Sequence, residues 1–153
     1  MADISDRLEA LIQTIQNVSS LGASFVYDVE KLLESFGYEF QDGDDWLLGF
    51  YIQSVESSIK NDCNTSSIPC GLKKIAAEMI VGKFLFTKKG AGQLQCIDLN
   101  MDAAVKQIQE GDTNVTFAFG DGSMTPEQRL DLLLAYLMEH GKGEFVHYRR
   151  LRW

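Results

Sequence analysis

Apolar residues recur at helical spacing through most of the chain. Leu8, Leu11, Ile12, Ile15 and Val18 form one stripe, which predicts an amphipathic helix over residues 5–18. Ser5, Asp6 and Glu9 suit the positive end of that helix, and the run Ser19, Ser20, Leu21, Gly22 breaks it. A second helix is expected over 28–35, with Val29, Leu32 and Leu33 turned inward and Gly37 in C-cap position. Asp42, Asp44 and Asp45 read as an N-cap cluster for a third helix over 45–61. Its stripe is Leu48, Ile52, Val55 and Ile59, widened by Trp46 and Tyr51. After a polar loop over 61–67, Pro69 suits the first turn of a fourth helix lined by Leu72, Ile75, Ala76, Met79, Ile80 and Leu85. The small residues Ala76, Ala77 and Gly82 permit close helix contact there, and Lys88 and Lys89 complement the negative helix end.

The period then changes. Thr113, Val115, Phe117 and Phe119 alternate with neighbours of the other kind, which predicts a strand after the turn at Glu110, Gly111 and Asp112. Such a strand needs a hairpin partner or a neighbouring chain, because a short strand does not stand alone. Thr125, Pro126 and Gln128 spell a capping box with proline at the first helical position. The helix they open buries Leu130, Leu133, Leu134 and Leu137, and Gly141 and Gly143 end it. The pattern therefore predicts one mainly α domain over residues 1–153, a small bundle of about five helices. Residues 28–141 form the core, a β-strand or hairpin over 104–120 precedes the last helix, and residues 142–153 form an extended tail.

A chain of 153 residues, 45% hydrophobic and 24% charged, has the composition of a globular domain. The net charge of −8 is unevenly spread. Residues 1–62 hold twelve acids against three bases, whereas residues 142–153 hold four bases against one acid. An acidic body argues against wrapping nucleic acid, and opposite-sign patches suit head-to-tail self-association. Cys63, Cys70 and Cys96 are odd in number and irregularly spaced, so reduced thiols in a cytosolic setting are expected. With His140 and His147 they match no common zinc spacing, and the carboxylates at 42–45 do not follow a calcium-loop pattern. No membrane-length apolar run occurs, and no motif for nucleophilic, phosphoryl-transfer, metallohydrolase or dinucleotide chemistry is present. No enzymatic activity and no cofactor or metal are expected.

The tail concentrates Tyr148, Arg149, Arg150, Leu151, Arg152 and Trp153. Tyr, Arg and Trp dominate energetic hot spots at interfaces, which points to a docking tail; a fold-back onto its own domain is the plainer alternative. Four strings in order carry a resemblance: LLGFYIQSVESSI from Leu47 to Ile59, IPCGLKKIAAEMI from Ile68 to Ile80, IQEGDTNVTFAF from Ile108 to Phe119, and YRRLRW from Tyr148 to Trp153. In these, over about residues 28–153, the chain resembles the head–tail connector (adaptor) proteins of tailed bacteriophages and prophages. The helix at 5–18 has no place in that pattern. The resemblance implies a non-enzymatic virion protein of the neck between capsid and tail, assembled in the bacterial host cytoplasm. It also implies a homo-oligomeric ring, typically of twelve subunits, that joins the portal protein to the next neck or tail component. DNA would pass through its channel as cargo. By the same resemblance, Tyr148 to Trp153 dock on the portal, and Thr113, Val115, Phe117 and Phe119 pair between subunits. The other readings are nucleic-acid binding through the basic aromatic tail, or another neck protein such as a stopper or tail-terminator.

Overall fold

The computed structural model describes residues 6, 9–13, 21–94, 99–100 and 125–151. Helix α1 spans Ala23–Ser35, α2 Asp44–Cys63, α3 Lys73–Gly90 and α4 Pro126–Glu139. A 3-10 turn at Cys70–Leu72 leads into α3, and a longer 3-10 run, His140–Tyr148, continues from α4. Residues 9–13 are also helical, and Leu11 is fully buried. The rest of the helix expected at 5–18 lies largely outside the described residues.

Helix α3 is the centre of the bundle and packs against α1, α2 and α4. It buries Ala76, Ala77, Met79, Ile80, Val81, Gly82, Phe84 and Leu85, which cover nearly its whole circumference, as a helix surrounded by others must. Its closest approach is to α4. A Cβ added at Gly82 would lie 2.9 Å from both Leu137 Cβ and Met138 Cγ, so only glycine lets the two backbones meet. Leu130, Leu133, Leu134 and Leu137 of α4 are buried as their spacing indicates. Thr125 caps that helix: the Gln128 N–H donates to its Oγ1 at 3.2 Å, and its own N–H donates to Gln128 Oε1 at 3.0 Å.

Helix α1 begins five residues before the expected start. Phe25 and Val26 precede Val29 and Leu33 at i, i+3 and i+4 steps, and all four are buried, so the apolar stripe extends back across Ser24 and Asp28. The helix ends in a Schellman turn. Gly37 takes φ 83°, its N–H donates to the Glu34 carbonyl at 2.9 Å, and the Tyr38 N–H donates to the Leu33 carbonyl at 3.2 Å. Asp44 is not an N-cap. Gly43 holds that place in the left-handed region, and Asp44 is fully buried in the first turn of α2. It forms an ion pair with buried Lys88 of α3, and it accepts hydrogen bonds from Tyr38 Oη at 2.6 Å and the Gln41 N–H at 2.8 Å. Lys88 also donates to Gln93 Oε1 at 3.1 Å, so this lysine is a buried structural charge and not only a helix-end cation.

Two expectations about fold class are corrected. Among the described residues the elements are helical, with no strand and no sheet, so the expected β insertion is not seen there and the fold is mainly α. The segment 104–120, with Thr113, Val115, Phe117 and Phe119, lies outside the described residues. The helices close their core on one another, which leaves no described backbone edge for a strand to pair with. The C-terminal segment is also not an extended tail. Nine residues, His140–Tyr148, turn as a 3-10 run, and Phe145 within it is buried. Gly141, expected to end the helix, is buried where a Cβ would overlap Ile75 of α3.

Candidate docking surfaces

The C-terminal segment is seated on its own domain before it reaches the surface. Phe145 fills the space beside the end of α2, and its carbonyl accepts a weak hydrogen bond from Cys63 Sγ at 3.7 Å. Tyr148 is half-buried, and its ring covers Gly71, where any Cβ would collide with the phenol. Beyond Tyr148 the backbone extends. The Arg150 N–H donates to the Cys63 carbonyl at 2.8 Å, and Asn64 Nδ2 donates to the Arg150 carbonyl at 2.9 Å. Both partners are at the C-terminal end of α2, where a helix leaves carbonyls without intrahelical donors. The segment thus satisfies that helix end and is held in place by it.

The six tail residues therefore divide. Tyr148 faces its own helices, Arg149 and Arg150 are exposed, and Leu151 is 78% exposed. Arg152 and Trp153 lie outside the described residues. Lys73 and Lys74, the first residues of α3, are exposed and follow directly on the 3-10 turn that Tyr148 covers. This end of the bundle exposes Lys73, Lys74, Arg149 and Arg150, with exposed Asp62 at the end of α2 among them.

The opposite end of α2 carries a surface that the hydrophobic pattern misassigned. Trp46, read as part of the buried stripe, is 68% exposed, and Phe50 is 52% exposed. Their rings stack at 5.9 Å with 19° between planes, and Tyr51 meets Phe50 edge-on at 5.5 Å. Tyr51 turns toward α3, where its hydroxyl hydrogen-bonds Thr87. At 3.6 residues per turn, positions 46 and 50 each lie about 200° from Leu48, on the face away from the core. That angle was the available signal. Exposed Glu39 and Asp42 precede this turn, so the aromatic pair stands at an acidic entrance to α2.

The titratable groups elsewhere have structural roles. His140 stacks on Tyr136 at 4.1 Å, lies 2.7 Å from Glu78 Oε2, and contacts the Tyr136 carbonyl through Nδ1 at 2.7 Å. It ties the start of the 3-10 run to α3. Burial, with Asp62 nearby, pushes the Cys63 thiol above its ordinary pKa, while Arg149 opposes the shift. Cys70 is exposed, and Cys96 lies outside the described residues. Among the described residues no group of three or more His, Cys, Asp or Glu is arranged to hold a metal ion. No described helix is long and apolar enough to cross a membrane. Comparison with protein families, with curated proteins and with solved structures returns no match for this chain.

Proposed function

We propose that this chain is a structural assembly subunit, a head–tail connector of a tailed bacteriophage. As such it forms a ring between the portal and the next neck or tail component and leaves a channel for DNA. The observation that carries the reading is the anchored presentation of Arg149, Arg150 and Leu151. A flexible terminus loses conformational entropy when it binds, and one already hydrogen-bonded to Cys63 and Asn64 loses less. Exposed guanidinium and apolar groups on such a support suit a protein partner that offers carboxylates and an apolar pocket. The four sequence strings support the same reading, and two of them, Leu47 to Ile59 and Ile68 to Ile80, form the helical frame under the tail. An acidic body suits a channel wall that must let DNA slide.

The test is a chain ending at Tyr148. It keeps Phe145 and the phenol over Gly71, so it stays folded, and it fails to join filled heads to tails in an in vitro joining assay. A truncated chain that joins them as well as the full chain removes the tip from the function. Measurable, salt-sensitive binding of duplex DNA through the same tip, lost between ~50 and ~200 mM salt, would instead favour the nucleic-acid reading.

A further inference from the structure

We propose that the cationic tip of one copy docks on the Trp46–Phe50 face of a second copy, so that the subunits join head to tail. The inference deepens the assembly reading above and rests on it in one respect, that the chain works as repeated copies.

The two surfaces complement each other in chemistry. One offers two stacked, exposed indole and phenyl rings beside exposed Glu39 and Asp42. The other offers exposed Arg149, Arg150 and Leu151. A guanidinium stacks on an aromatic face and pairs with carboxylates in the same contact, and an exposed leucine fills the apolar remainder. Among the described residues no ion pair joins Arg149 or Arg150 to a carboxylate, although Arg149 and Asp62 both act on the Cys63 thiol. The guanidinium charge of the tip is therefore left for an external partner.

Geometry forbids this contact within one molecule. Arg150 is fixed at Cys63, the last residue of α2, and Trp46 lies 17 residues earlier on the same helix. At 1.5 Å per residue that is about 26 Å, and Phe50 is about 20 Å away. An arginine side chain spans a fraction of either distance. Donor and acceptor thus sit at opposite ends of one rigid helix and can meet only between copies. A contact between two different patches is heterologous, and its repetition gives a ring when the rotation closes.

Two double variants test the contact, Trp46→Ala with Phe50→Ala, and Arg149→Glu with Arg150→Glu. All four side chains are exposed, so both proteins should keep the wild-type helical circular-dichroism spectrum. Analytical ultracentrifugation at low salt should show wild-type species larger than a dimer. Each double variant alone should associate at least about tenfold more weakly. An equimolar mixture of the two has one intact interface per pair and should give a 1:1 dimer and nothing larger. A mixture that stays monomeric, a double variant that assembles like wild type, or a wild-type chain still monomeric at about 1 mM overturns the proposal. Connector activity is read separately. Trp46→Ala with Phe50→Ala leaves the tip intact and separates the two: if that protein still self-associates and joins heads to tails, this contact fails and the connector reading stands, whereas wild-type head-to-tail assembly without portal binding removes the connector reading and leaves the contact.

Discussion

At the residue scale, the positions that matter most are those where a neighbour leaves no alternative. Gly82 admits the backbone of α4 to α3, and a methyl group there pushes on Leu137 and Met138. Gly82→Ala should cost about 1–3 kcal/mol through overpacking, read as a lower urea midpoint with an unchanged slope. Asp44 and Lys88 form a buried pair whose members depend on each other. Asp44→Ala should lower stability by about 3–5 kcal/mol, because it strands a buried ammonium. Replacing both members with apolar residues of similar size should recover most of that loss, and a double-mutant cycle by chemical denaturation checks it. Cys63 adds a pH dependence. Its thiol stays protonated in the folded protein at pH values where the unfolded chain has lost that proton. The folded state then binds more protons than the unfolded one, so stability falls as pH rises through and above the ordinary thiol range near 9. Cys63→Ala should flatten that fall, measured as the thermal midpoint against pH.

At the scale of elements, the 3-10 run His140–Tyr148 is the part of the fold that decides how the tail is used. Runs of this kind rarely exceed three or four residues, because their hydrogen bonds are poorer than those of an α-helix. This one persists through side-chain burial. Phe145 is 2% exposed, Gly141 abuts Ile75, and Tyr148 covers Gly71. Phe145→Ala should therefore destabilise the whole domain by about 3–5 kcal/mol and release the tip from Cys63. Removal of residues 149–153 should change the thermal midpoint little. Hydrogen exchange checks the release, since in Phe145→Ala the Arg150 amide should lose its protection entirely while core amides of α3 lose only the amount of the global destabilisation. Equal loss at both places would mean that the segment belongs to the cooperative core.

At the scale of the whole molecule, what the sequence revealed was mostly local. The capping box at Thr125, the glycine stop at Gly37 and the stripes of α2 and α4 depend on residues within a few positions of one another, and each is present as spacing indicated. What it did not reveal depends on partners far apart in the chain. The Asp44–Lys88 pair joins residues on two helices, so Asp42, Asp44 and Asp45 read only as a cap. Gly141 reads only as a break because its steric role is set by Ile75 in α3. Trp46 was placed inside on its apolarity alone, although its angle around the helix put it outside. For the candidate site, the residue types of the tail were legible and their division was not, since only the packed neighbours turn Tyr148 inward and leave the arginines out. The same division gives the molecule its polarity, with a cationic tip at one end of α2 and an acidic aromatic face at the other.

Electron microscopy of the chain mixed with tailed-phage portal rings tests the proposed connector role most directly. A closed ring of copies should be added below the portal, with an open axial channel, and should be lost when the chain ends at Tyr148. Portal rings that gain no density from the full-length chain would contradict that role.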